Sequence, residues 1–299
     1  MSHAFLIDAS VLIFRAWHSL PPDIAGDCGR PLNAVYGYAR FLCGLLARLQ
    51  PRHIAVAFDG GLKNSFRRKL FPPYKANRDP APPELRAQFP LCEILTRGMG
   101  IAMVGGNGFE ADDYLASMAR RCRANGGENF RFTFVTSDKD IAQLVGADDE
   151  LWDPCRDRVR DAAQLHRLLG VAPPQVADFL ALAGDSADNI PGAAGIGVKT
   201  AGLLINRFSS LENIYANIKH IEAMPLRNRR AVVQSLHENR DRVFLYRRLT
   251  KLDGAVPLPA DFSLARNVDA GELESAIIET GIDPALAGRV RRDALAGAP

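Results

Sequence analysis

The chain has 299 residues, is 47% hydrophobic and carries a formal charge of +3, which is enough for one large or two modest globular domains with real cores and excludes a disordered chain. Its five cysteines (Cys28, Cys43, Cys92, Cys122, Cys155) form no CxxC pair, so neither a zinc site nor a disulfide framework is indicated and a reducing cytoplasm is the natural compartment. The apolar runs break well before ~18 residues, and the N-terminus enters a strand-like run at once, so membrane and secretory readings fall away.

In chain order, AFLID (4–8) reads as a buried strand ending in Asp8, and AVYGYARFLCGLLARL (34–49) reads as a helix. A second strand, HIAVAFD (53–59), ends in Asp59. Residues 61–90 break the rhythm with Lys63, Arg67, Arg68, Lys69, Lys75 and Arg78 and no intervening acid, followed by Pro80, Pro82 and Pro83. That run is an excursion from the sheet. Phe66, Phe71 and Tyr74 are interleaved with the cations, either to stack on unpaired bases or to anchor the excursion in the core. IAMVGG (101–106), the helix DDYLASMARRCRAN (112–125) and the strand FTFVTSD (132–138) follow. After about residue 171 the strand signals fade into helices with basic faces, including LRNRR (226–230) and DRVFLYRRLTK (241–251). Alternating strands and helices predict an α/β fold with a mostly parallel sheet covered on both faces, whose site lies beyond the carboxyl ends of the strands.

Nine carboxylates occupy five short segments: LIDAS (Asp8), AFDGG (Asp59), FEADD (Glu110, Asp112, Asp113), TSDKD (Asp138, Asp140) and GDSADN (Asp185, Asp188). A lone Asp most often caps a turn. Five segments failing in the same direction is another matter, and acids gathered without His or Cys suit oxygen-liking Mg2+ or Mn2+. The i, i+2 spacing presents Asp138 and Asp140 together on a strand end, and the i, i+3 spacing presents Asp185 with Asp188, and Glu110 with Asp113, on one face of a helical turn. Two ions held there would activate an attacking water and stabilise the leaving oxygen of an in-line phosphoryl displacement. Without the nine acids, 37 basic residues face 25 acidic ones, a balance suited to a polyanionic substrate. In GAAGIGVKTAGLL (192–204) the N–H groups of Gly195 and Gly197, with Lys199 beside them, can grip a phosphate where a helix starts near Val198. The spacing is not that of a nucleotide-binding P-loop.

Together, DASVLIFRAWHS, VAFDG, SFRRKLFPPYKANR, FEADD, TSDKDIAQLV and DFLALAGDSADNIPGAAGIGVKTA resemble the 5′ to 3′ exonuclease and flap endonuclease family, nearest to the 5′-nuclease domain of bacterial DNA polymerase I. The likeness runs from about residue 4 to 250. It implies a PIN-like 5′-nuclease fold: a catalytic domain over 1–170 with a helical arch at about 61–90, and a helical DNA-binding region over 171–299 with a helix-hairpin-helix at about 184–207. It further implies that Asp8, Asp59, Glu110 and Asp112 serve one Mg2+ and that Asp138, Asp140, Asp185 and Asp188 serve another. Mn2+ can substitute, Asp138 lies between the two sites, and Asp113 acts through water. Arg15, Lys75 and Arg78 match residues that meet the scissile phosphate. Arg67 and Tyr74 belong to the DNA-contacting arch, and Lys199 matches a duplex-phosphate contact. Carbonyls of Pro191, Ala194 and Ile196 would hold K+. Ala9, Ser137 and Ala194 depart from the family pattern without removing a ligand, and Pro90 interrupts a stretch that is commonly helical. The implied protein is a monomeric, cytoplasmic, nucleoid-associated bacterial nuclease acting on DNA 5′ flaps, 5′ ends and single-strand/duplex junctions, either standing alone or as a fragment of a polymerase. The alternatives are a non-catalytic binder of DNA structure on the same fold and a PIN-like ribonuclease.

Overall fold

The computed structural model describes residues 2–26, 29–61, 65–106, 108–124, 130–224, 226 and 228–296; Cys28, Lys63, Asn125 and Arg227 lie outside the described residues. Six strands, β1 (Ser2–Asp8), β2 (His53–Phe58), β3 (Ala102–Gly105), β4 (Phe130–Val135), β5 (Glu150–Asp153) and β6 (Arg158–Asp161), form one sheet in the order β3-β2-β1-β4-β5-β6. Every pairing is parallel except β5 with β6. Leu6 on the central strand lies opposite Ala55 on one side and Phe134 on the other.

The helices are α1 (Ala9–Ser19), α2 (Asn33–Leu49), α3 (Phe66–Leu70), α4 (Pro83–Arg86), α5 (Phe89–Gly98), α6 (Ala111–Ala124), α7 (Ala162–Leu169), α8 (Val176–Ala183), α9 (Val198–Phe208), α10 (Leu211–Ala216), α11 (Ile218–Ile221), α12 (Arg229–Thr250), α13 (Ala270–Thr280) and α14 (Pro284–Leu295). Because side chains alternate along a strand, β1 divides between two cores. Phe5 and Ile7 join Leu42 and Leu46 of α2 and Leu273, Ile277 and Val290 of α13 and α14. Ala4 and Leu6 join Leu115 of α6 and Leu180, Leu204 and Leu236 of the helical region. Each fully buried Leu or Phe contributes about 1.5–3 kcal/mol relative to exposure, so both faces are strongly held.

The antiparallel β5–β6 hairpin was not among the four strands expected. Pro90 lies in the first turn of α5, where its missing N–H costs nothing, so it opens that helix instead of breaking one. The last two helices pack on the α2 and α5 side of the sheet, although the sequence grouped them with the DNA-binding helices. No helix among the described residues is long and apolar enough to cross a membrane.

Candidate active site

Asp8 ends β1 and caps α1, accepting the Ser10 N–H at 2.9 Å and the Thr136 hydroxyl at 2.9 Å. Asp59, one residue beyond β2, takes the Ser10 hydroxyl and the N–H of Ala111 at 2.8 Å, the first residue of α6. The turn after Asp59 needs glycine, since a Cβ on Gly60 would lie 2.4 Å from the Gly106 carbonyl oxygen. Neither Asp8 nor Asp59 has an ion pair among the described residues. Burial, the Asp59 charge and Asp138 together push the Asp8 carboxyl up to about 7. Asp112 is likewise raised well above the carboxylate range, by burial first and then by Asp138 and Asp8.

A second group gathers Asp140, Asp185 and Asp188, whose nearest oxygens lie within 4.8 Å of one another. Asp138 and Asp140 do not share a strand end, because β4 stops at Val135. Asp138 instead caps the short 3₁₀ helix Lys139–Leu144 through the Asp140 N–H at 2.9 Å. Asp185 and Asp188 sit on a closed loop instead of a helical turn, with Asp185 and Ile190 exchanging both backbone bonds at 2.8 Å. Two left-handed glycines close it: Cβ atoms on Gly184 and Gly192 would meet the Pro191 carbonyl oxygen at 2.7 Å and the Gly184 nitrogen at 2.4 Å. Asp140 is raised by burial, Asp138 and Asp185, and Asp188 by burial against the opposing pull of Lys75 and Arg78. Asp138 is thus the charge that Asp8, Asp112, Asp140 and Asp188 all feel, which joins the two groups.

The excursion after β2 lies across the second group as a strap. Lys75 Nζ donates to Glu110 and stands 3.7 Å from Asp188, while Arg78 donates to Asp188 at 2.8 Å. The Tyr74 hydroxyl bonds Asp188 at 2.9 Å and Glu110 at 3.2 Å. Lys75 N–H to the Asp188 carbonyl (3.0 Å), Asn77 to the Ser186 carbonyl (3.0 Å) and Asn189 to the Pro73 carbonyl (2.8 Å) complete the seam. Lys75 and Asn189 face each other with φ of 51° and 58°, the left-handed region, which Asn tolerates and Lys disfavours. Burial opposes the Lys75 ammonium, yet Glu110 and Asp188 outweigh it and raise its pKa. Burial opposes the Glu110 carboxylate as well, and Lys75 and Arg67 hold it below its usual range.

Four positions stand differently from the sequence expectation. Arg67 is 2% exposed and grips the fully buried Asp113 with two bonds of 2.6 and 2.7 Å, while its Nε donates to the Leu249 carbonyl at 2.8 Å. Asp113 also accepts the Asp253 N–H at 2.8 Å. With its oxygens so engaged Asp113 is a structural anchor, and Arg67 has no free face for DNA. The Tyr74 ring is 2% exposed, so it is a core anchor here and no stacking surface. Arg15 donates to the Pro154 carbonyl in the β5–β6 turn and pairs with no carboxylate among the described residues. Sequence reading missed Ser10 and Thr136, hydroxyls two residues beyond Asp8 and before Asp138, whose closeness to strand-end acids was the available signal. It also gave no role to Lys139, which pairs with Asp185 at 2.8 Å.

On the far side of the Asp185 loop, Gly195 (φ 75°) and Gly197 precede α9, and neither has a heavy atom within 4 Å of where a Cβ would stand. Packing therefore does not demand glycine at either position, and the backbone is open to an outside ligand. Lys199 is exposed in the first turn of α9. Pro191 is exposed and Ile196 buried, while the Ala194 carbonyl accepts the Ser235 hydroxyl at 2.5 Å.

Two buried oxygens, Glu110 Oε1 and Asp140 Oδ1, have no hydrogen-bond partner among the described residues. Such orphaned acceptors are costly unless something outside the chain satisfies them. An all-oxygen set with orphaned acceptors fits a hard divalent cation.

The sheet with its neighbouring acids, and the helical region after it, are matched by the two domain models of one nuclease family. The 5′-3′ exonuclease N-terminal, resolvase-like domain matches residues 3–169, and the 5′-3′ exonuclease C-terminal SAM fold matches residues 171–270. The chain belongs to the 5′-3′ exonuclease family. It is 33% identical to a 5′-3′ exonuclease of Buchnera aphidicola, over 85% of this chain and 87% of that protein. It is 38% identical to DNA polymerase I of Rhizobium leguminosarum over 87% of this chain, and spans only 25% of that relative's length. The bacteriophage T5 flap endonuclease, solved with DNA and metal ions, shares the fold with a TM-score of 0.64 at 20% identity, covering 99% of this chain and 98% of that one.

Proposed function

We propose that this chain is a 5′-nuclease that hydrolyses DNA at 5′ flaps and 5′ ends with two divalent ions, Mg2+ in the first place and Mn2+ as a substitute. The observation that carries the reading is the hydrogen-bonded chain from Asp8 through Thr136 and Asp138 to Asp140, with Glu110 Oε1 and Asp140 Oδ1 buried and without a hydrogen bond among the described residues. Asp8, Asp59, Glu110 and Asp112 would hold one ion and Asp138, Asp140, Asp185 and Asp188 the other. When bound, the ions supply an activated water and charge for the leaving oxygen. Thr136 and Ser10 fix the oxygens of Asp8 and Asp59, so those ligands need little reorganisation. Lys75 and Arg78 reach the carboxylates from the strap and so stand where a scissile phosphate would meet them. Gly195, Gly197 and Lys199 form the phosphate grip of a helix-hairpin-helix on the duplex side, with Pro191, Ala194 and Ile196 offering carbonyls to K+. The strap would act as the arch, on a catalytic unit over 1–170 beside a DNA-binding unit from 171, in a monomeric bacterial protein.

The test is cleavage of an end-labelled 5′-flap duplex in Mg2+, in EDTA, and by Asp138→Ala. Metal-dependent cutting that falls at least about 1,000-fold in the variant, roughly 4 kcal/mol of barrier, is expected. A wild type that binds the flap tightly and never cuts it in Mg2+ or Mn2+ would be a binder of DNA structure, and the nuclease reading would be lost.

A further inference from the structure

A cleft of about 370 Å³ opens beside the first carboxylate group, lined by Thr136, Ser137 and Lys139 on one side and by Arg156, Arg158 and Arg160 of the β5–β6 hairpin on the other. Leu165, Leu168 and Leu169 of α7 form its base. Thr136 is the residue that holds Asp8, and Lys139 the one that holds Asp185, so the cleft adjoins both carboxylate groups. The i, i+2 spacing on β6 puts Arg158 and Arg160 on one side of the strand.

Asp153 lies opposite Arg158 in the hairpin register, yet among the described residues no acid of the hairpin bonds to either arginine. Glu150 pairs with Arg131. Asp153 takes the Ser137 hydroxyl at 2.6 Å and Arg156 at 2.9 Å. Asp157 takes the Trp152 indole N–H at 3.1 Å, and Asp161 caps α7 through the Gln164 N–H at 2.7 Å. Each acid is thus engaged elsewhere, and among the described residues the guanidinium groups of Arg158 and Arg160 have neither ion pair nor hydrogen bond. Two free cations on one side of a concave wall, next to a site for phosphodiesters, match a phosphate backbone better than an isolated anion.

We propose that Arg158 and Arg160 form a second DNA-backbone contact, gripping adjacent phosphates of the strand that passes the catalytic floor. This rests on the nuclease reading and adds to it a binding wall distinct from the strap and from the glycine-rich turn before α9. Arginines on an edge strand can also serve to block edge-to-edge pairing, and a basic cleft can take an acidic protein segment. Those two roles predict no change in DNA binding.

The experiment compares wild type with Arg158→Ala/Arg160→Ala by fluorescence anisotropy on a labelled 5′-flap duplex in EDTA, between 50 and 200 mM salt, with Mg2+-dependent turnover measured alongside. Losing two phosphate contacts should flatten the slope of log affinity against log salt by about 1.8 and weaken binding at least several-fold near 100 mM salt. Mg2+-dependent cutting at substrate concentrations below KM should fall in step with the lost affinity, since neither arginine touches a carboxylate of the site and the loss is one of binding. A double variant with the wild-type slope and affinity, from a wild type that cuts, overturns the binding wall and leaves the nuclease standing. The same holds if the variant's only change is self-association. A wild type that neither binds nor cuts DNA removes both.

Discussion

The two carboxylate groups solve the same electrostatic problem in opposite ways. At the strand ends, Asp8 and Asp59 are held by hydroxyls and backbone N–H groups, and burial with the neighbouring acids raises the Asp8 carboxyl. On the loop side, Asp185 and Asp188 are held by Lys139 and Arg78, and Lys75 reaches between Asp188 and Glu110 of the first group. The first arrangement is built into the sheet, whereas the second draws largely on the strap. Divalent ions entering the first group must displace protons, and ions entering the second must displace ammonium and guanidinium groups. The two groups should therefore respond differently to pH and to mutation of the strap.

The largest effect should come from cutting the strap's anchor. Arg67→Ala leaves the buried Asp113 carboxylate without its ion-pair partner, with only backbone N–H groups to hold it, which costs about 3–5 kcal/mol. Denaturant unfolding should show it, and Arg67→Lys should recover little because an ammonium cannot replace the two-pronged contact. Near-wild-type stability of Arg67→Ala would show that the strap is held elsewhere.

Next in size is a pH effect confined to the strand-end group. Asp8 keeps its proton in the folded protein up to about 7, whereas the unfolded chain loses it near 3.8. Between those values the folded state binds more protons, so this group's contribution to stability falls as pH rises and levels off above about 7. In EDTA, Asp8→Asn should therefore gain Tm over wild type at pH 8 and lose that advantage by pH 4. An equal difference at both ends would break the assignment.

The smallest effect belongs to the strap. Removing the competing ammonium in Lys75→Ala should tighten Mn2+ binding, read by the loss of free-ion EPR signal, by a few-fold, or about 1 kcal/mol. Unchanged Mn2+ affinity would show that Lys75 already stands clear of the ligands in solution.

Much of this was legible in the sequence for specific reasons. Strands β1, β2 and β4 are mostly buried and read as continuous apolar runs that end in, or within three residues of, an acid, so both the sheet and its site could be inferred. ELWD and RVRD escaped because a four-residue edge hairpin with arginines on its exposed strand looks like a polar loop. Asp113 and Asp112 are adjacent and chemically identical. Only the turn of α6 decides that one meets a buried arginine from 46 residues away while the other faces the acids. The strap's seam joins Tyr74 to Asp188 across 114 positions, a contact no local pattern encodes. The cations of 67–78 read the same whether they face DNA or carboxylates.

The packing of α13 and α14 against α2 and α5 has a consequence for how the chain is made. Leu42, Leu46 and Leu95 emerge from the ribosome long before Leu273, Ile277 and Val290, the residues that cover them. At 5–20 residues per second the interval lasts on the order of ten seconds or more. Throughout it the nascent chain keeps a greasy flank uncovered, and from Asp188 onward it does so with every carboxylate of the site already synthesised.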